Sequence, residues 1–266
     1  MAEKFDLDTD RLLYELGDPD PHLVERAVAG LRKWLAKSDG ADFRLGVEGL
    51  CSLFYIDTAD RPDLETALDR TTELLAEQGG RVVPVLLSLM QGSDLKSHIH
   101  LARILGKIGA AAIEPLRELL ATSEDSYSRA FALYAIGKMS CPEVGQALPE
   151  ILGGLIHPDK EVRDTAARTL GRVASVVPPG GLTERRRREM FEALVRATHD
   201  HQPAVRAKAY RSLGKMAGSS LLDAAQRSEL VAYSRAALGQ SEKFGWDNAF
   251  IVRREAEEAL RTAESA

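Results

Sequence analysis

Two marks in the sequence keep the same step. Leu-Gly or Ile-Gly dipeptides end at Gly106, Gly137, Gly171 and Gly214, and prolines stand at Pro84, Pro115 and Pro149. The first three glycines and the three prolines are both separated by 31 and then 34 residues. Counted from each glycine, the chemistry repeats. Eight residues before it stand His98, Arg129, Arg163 and Arg206; five before it, Leu101, Ala132, Ala166 and Ala209; two after it, Ile108, Met139, Val173 and Met216. A unit of this length is a helical hairpin with an apolar face that only its neighbours can bury. The predicted fold class is all-α, an α-α superhelix of about seven helical hairpins.

Composition agrees, because 6% aromatic residues within 44% hydrophobic ones suit Leu/Ala-rich helix packing better than sheets. One continuous repeat domain is expected over 1–266, with divergent repeats over 1–80, regular repeats over 81–218 and a capping hairpin over 219–266. In the regular part, first helices are expected near 81–90, 111–121 and 145–156, and second helices near 94–108, 125–139 and 159–176. Asp94, Asp125 and Asp159 stand where a carboxylate caps a helix N-terminus. At the far end, Glu255, Glu257 and Glu258 give the last helix a polar outer face. The aromatics before it, Phe244, Trp246 and Phe250, are expected to seal the end of the stack.

Pro149, Asp159, Val162, Arg163, Ala166, Leu170 and Gly171 together resemble the HEAT repeat, in particular its short bacterial version named after the phycobilisome lyases. The likeness is clear from about residue 81 to residue 218. It implies that the arginine column at 129, 163 and 206 is structural, since in that family the capping Asp often meets the Arg of a neighbouring repeat. It also implies that the exposed face of the second helices lines a concave surface. Function stays open, because such repeats serve as scaffolds, lyase subunits, hydroxylases and DNA-repair proteins.

Several classes are disfavoured. A net charge of -5 gives no general attraction to nucleic acid or anionic membranes. No run approaches the ~18 apolar residues of a membrane helix, and the charged opening MAEKFDLDTD lacks the apolar core of a secretory signal. Cys51 and Cys141, far apart, read as reduced thiols in a cytoplasmic protein. His98/His100 and His199/His201 do not make a convincing metal site, and no cofactor motif is present, since Gly106-Lys107-Ile108-Gly109 lacks the length and preceding strand of a phosphate loop. No His is followed by Glu, the pair through which HEAT-like hydroxylases bind iron. Whether the protein is an enzyme is left open, with the weight against it.

One pattern is unaccounted for by the fold. Three residues before each glycine stand Arg103, Tyr134, Arg168 and Arg211, and just after it Lys107, Lys138, Arg172 and Lys215. On a helical wheel these positions fall about 60° and 100° from the glycine, while the apolar positions fall at about 160° to 260°. The stripe therefore points away from the core. The leading reading is a non-enzymatic scaffold whose basic concave face binds a protein partner through an acidic segment. The alternatives are a nucleic-acid-binding protein resembling the HEAT-like alkylpurine DNA glycosylases, and a lyase-type subunit for prosthetic-group attachment.

Overall fold

The pattern of prolines, caps and glycines becomes seven helix pairs in a computed structural model that describes residues 3–90, 95–241 and 246–265. The expected cap Asp94 and the aromatic Phe244 lie outside the described residues. The fourteen α-helices among the described residues fall into two compact units, one ending at Ala112 and one beginning at Ile113. The first unit holds α1 (Glu3–Glu15), α2 (Pro21–Leu35), α3 (Gly40–Ser52), α4 (Glu65–Glu77), α5 (Val83–Met90) and α6 (Leu95–Ile108). The second holds α7 (Ile113–Thr122), α8 (Ser126–Ile136), α9 (Leu148–Gly154), α10 (Lys160–Val176), α11 (Glu184–Ala197), α12 (Pro203–Gly218), α13 (Ala224–Ala237) and α14 (Phe250–Ser265). No strand occurs among the described residues.

Local chemistry sets the boundaries. Pro84, Pro115 and Pro149 all sit in the first turn of their helices, where a missing N–H costs nothing. The Asp20 carboxylate accepts from His22 N, Asp125 from Tyr127 N and Ser128 N, and Asp159 from Glu161 N, as N-caps do. Gly79, at φ +59°, ends the turn after α4 in the left-handed region that other residues enter only with strain.

Second helices stack on second helices. In the first unit α2 packs on α4 and α4 on α6; in the second α8 packs on α10, α10 on α12 and α12 on α14. The repeated apolar positions are the core, with Leu101, Ala132, Ala166, Ala209, Leu105, Ile136, Leu170 and Leu213 all buried. The phasing glycines allow the close approach. A Cβ on Gly171 would stand 2.5 Å from Ser212 Oγ, and one on Gly214 would stand 3.1 Å from the backbone Cα of Ala259. Small hydroxyl residues opposite the glycines finish the contact: Thr169 Oγ1 donates to Leu133 O and Ser212 Oγ to Ala167 O. Because α14 backbone has nowhere to move, Gly214→Val is expected to cost about 2 kcal/mol of stability by overpacking, measured as a lowered urea midpoint.

Candidate functional site

The arginine column is spoken for by the fold. Arg163 donates through Nε and Nη2 to the two carboxylate oxygens of Asp200 at 2.7 and 3.2 Å, and through Nη1 to the carbonyls of His157 and Pro158. One repeat later Arg206 does the same to Asp247, at 2.6 and 2.8 Å, and to the carbonyls of Asp200 and His201. Arg253 donates to Asp247 O and Arg129 to Ser123 O, while His98 Nε2 sits 2.9 Å from Met90 O. Each clasp thus fastens the turn before its own helix, and two of them also reach the next repeat. The carboxylate that meets the arginine is not the N-cap the family likeness suggested but lies two residues before the cap position.

Those pairs hold carboxylates in the charged form. Burial alone would raise Asp200 and Asp247, but the bonds from Arg163 and Arg206, and from the Gln202 and Ala249 amides, outweigh it and hold both below the usual range. Glu255, buried on α14, is brought down to about 2, chiefly by Arg211 and further by Arg254. Groups lowered on folding stabilise above their unfolded pKa and lose that contribution as pH falls through the folded value. The contribution of these carboxylates to the unfolding free energy is therefore expected to be constant above pH ~5 and to be lost between pH ~4.5 and ~2, with about 2 kcal/mol of that loss absent in Glu255→Gln. Urea unfolding at several pH values checks it.

The stripe divides into paired and unpaired cations. In the first unit Arg103 lies 3.4 Å from Asp69, and Lys107 Nζ 2.7 Å from Glu73, both carboxylates on α4. In the second unit Arg211 binds Glu255 through Nε and Nη2 at 2.9 and 2.6 Å. The remaining four, Lys138, Arg168, Arg172 and Lys215, have no carboxylate within ion-pair distance among the described residues. Lys138 Nζ, from the turn that follows α8, and the Arg168 guanidinium, from α10, stand 4.7 and 5.0 Å from the ring centre of Tyr134. Arg172 reaches back to the end of α8, donating to Met139 O and Ser140 Oγ, where a cation suits the helix C-terminus. Burial, Arg211 and Arg172 together push the Lys215 pKa below the ordinary lysine value.

Sequence reasoning placed these side chains outward and missed the neutralisation of Arg103, Lys107 and Arg211. Asp69 and Glu73 lie on a helix with no Leu-Gly pair to set its register, and Glu255 reaches Arg211 from a position three residues off the motif alignment. The C-terminal aromatics correct a second expectation. Trp246 is 58% and Phe250 70% exposed, and Val252, Ala256, Ala259 and Ala263 do the packing there instead. Arg253 lies 4.1 Å over the Trp246 ring. The arginine run opening α11 is solvated, with Arg185 paired to Glu189. Cys51 is buried, its thiol pushed up to about 12 by desolvation and Glu48. Among the described residues no three His, Cys, Asp or Glu side chains gather to hold a metal ion, and no helix is long and apolar enough to cross a membrane.

Comparison with known proteins bears on the repeat itself. The family pattern described as HEAT repeats matches residues 113–179 and 157–239, and the PBS lyase HEAT-like repeat matches residues 99–122. No curated protein sequence matches the chain. Among solved structures, an engineered protein is similar over 97% of both chains at 21% identity with a TM-score of 0.52. The complex of CpcE and CpcF of phycocyanin lyase from Nostoc sp. PCC7120 is similar at 18% identity and TM-score 0.53, covering 67% of this chain and 97% of that one. Importin beta is similar over 96% of this chain and 36% of its own, at 15% identity and TM-score 0.57. These likenesses carry the fold alone, an all-α superhelical repeat scaffold. With the two repeat patterns together matching more than half of its length, the chain belongs to the HEAT-repeat proteins.

Proposed function

We propose that the protein is a binding scaffold and that the exposed face of α8, α10 and α12 takes an acidic segment of a protein partner. The observation that carries this reading is the set of four cations, Lys138, Arg168, Arg172 and Lys215, on and just after three stacked helices and without counter-charge among the described residues. The contrast within the chain supports it. Residues 1–112 hold 19 acidic and 13 basic side chains, and residues 113–266 hold 21 acidic and 22 basic ones. Carboxylates are thus plentiful, and where the fold needs a cation neutralised it supplies one, as Glu255 does for Arg211. Tyr134, half-buried between Lys138 and Arg168, adds a flat surface on which an extended backbone rests. A repeat scaffold offers such a surface ready-made, so little ordering cost falls on the scaffold when the segment docks. Two free thiols fit a cytoplasmic setting.

Nucleic acid is the competing ligand for the same cations. Four cations in a chain of net charge -5 make a small phosphate footprint, which argues for the protein segment. The likeness to the phycocyanin lyase complex touches the lyase-type reading through the fold only. Fluorescence anisotropy decides between the first two. A labelled peptide of about twelve residues rich in Glu and Asp is expected to bind in the micromolar range at 50 mM salt and several-fold more weakly at 300 mM. A short DNA duplex is expected not to compete. No peptide binding at low salt sinks the proposal, and duplex binding tighter than the peptide transfers the face to nucleic acid.

A further inference from the structure

A groove of about 450 Å³ runs between the end of α9 and the side of α11, two first helices of their hairpins. Leu152, Leu155, Ala193 and Ala197 line it, so its surface is mainly apolar. Gly153 keeps it open, since a Cβ there would meet nothing within 4 Å. Ile156 stands on its rim at 83% exposure, the most exposed large apolar side chain among the described residues. An aliphatic knob beside an apolar trough is half of a contact that a second copy of the same surface completes.

The charges beside the groove point to that partner. Arg188, Glu192, Arg196 and Asp200 follow one another at intervals of four and alternate in sign. The first three form one exposed row along α11, and Asp200 lies in the turn beyond it, at the end of the groove. Charges spaced this way commonly pair along their own helix. Here Arg188, Glu192 and Arg196 form no ion pair among the described residues, whereas Glu189 on the next row is held by Arg185 at 2.8 Å. The row is antisymmetric about Leu194. Two α11 helices laid antiparallel about a two-fold axis at that residue bring Glu192 of each copy against Arg196 of the other, and Arg188 against Asp200. Asp200 already holds Arg163, so the inner pairs carry more of the contact than the outer ones.

We propose that α9 and α11 form a two-fold symmetric docking surface for a second copy of this chain, each copy seating its Ile156 in the groove of the other. A surface whose charges match themselves on reversal selects its own kind over other partners. The contact shares no residue with the basic face of α8, α10 and α12 and does not depend on the function proposed above.

Sedimentation equilibrium of the full chain, from about 1 to 200 μM, tests it, with a monomer–dimer equilibrium in the micromolar range expected. Glu192→Arg and Arg196→Glu are each expected to weaken the dimer more than about tenfold, because the axis makes every reversal count twice. The double exchange Glu192→Arg/Arg196→Glu restores opposite charges across the axis and is expected to return the affinity to within about threefold of the unaltered chain. Ile156→Asp, at an exposed site that the fold does not need, is expected to weaken the dimer at least tenfold, roughly, by placing a charge in the trough. A chain that stays monomeric throughout overturns the proposal. So does a dimer unaffected by these substitutions, or one that the double exchange fails to restore, since only a self-complementary row is rescued by swapping its own charges. Circular dichroism verifies the variants, and Ile156→Asp decides should a charge variant fail to fold.

Discussion

Arg206→Ala is expected to lower the unfolding free energy by about 3 kcal/mol, the largest effect of any single substitution considered for this chain. The reason is that one side chain closes two structures at once. Its Nε and Nη2 neutralise Asp247, and its Nη1 holds the carbonyls of the turn before α12. Both ionic partners are mostly shielded, at 16% and 14% side-chain exposure, so removing the arginine leaves an unpaired carboxylate in a poorly solvated place. Asp247 in turn fixes the start of α14 by accepting from Ala249 N, and the damage spreads to the last hairpin. Arg129→Ala is the internal control. That arginine donates to Ser123 O, has no carboxylate among its described partners, and should cost about 1 kcal/mol. Urea unfolding of the two variants beside the unaltered chain measures the difference, and equal losses would remove the clasp from the account.

Reversal of Lys138, Arg168, Arg172 and Lys215 to glutamate together is expected to weaken binding of an acidic peptide more than about 100-fold. Each exposed pair between a cation and a carboxylate is worth about 0.5 to 1 kcal/mol, and reversal converts attraction to repulsion of similar size. Four such changes exceed the roughly 3 kcal/mol that a 100-fold loss requires. Helicity should be kept, since the four side chains lie outside the packed positions and, among the described residues, only Arg172 has side-chain hydrogen bonds to lose. Undiminished binding by the reversed chain, with its helices intact, would dissociate the face from the function.

The helical pairs were legible because burial writes itself into spacing. Leu101, Ala132, Ala166 and Ala209 had to recur for the second helices to stack, and Gly171 and Gly214 had to lack side chains where the next helix crosses. The outward direction of Arg168 and Arg172 followed from the same wheel. What the spacing did not carry was the company those cations keep. Salt bridges join residues 34 or 44 positions apart, as from Lys107 to Glu73 and from Arg211 to Glu255, and a surface partner needs only reach, not register. Long flexible side chains satisfy that from several positions, so no fixed interval marks them. Eight aligned positions therefore looked alike in sequence, whereas three of their cations are neutralised and four are not. The exposed Trp246 and Phe250 escaped for a related reason, because large aromatics near a chain end read as core until Val252 and Ala256 are seen to fill that role.

The central claim is that unmatched charge, not the basic stripe as a whole, makes the binding face. One titration separates the two, with the same labelled acidic peptide added to Arg103→Gln/Lys107→Gln and to Lys138→Gln/Lys215→Gln. Each variant loses two cations of the stripe. The first pair already faces Asp69 and Glu73, and its loss is expected to change affinity by less than about twofold; the second has no carboxylate to face, and its loss is expected to weaken binding about tenfold. Equal losses in the two variants, or the greater loss in the first, would contradict the account.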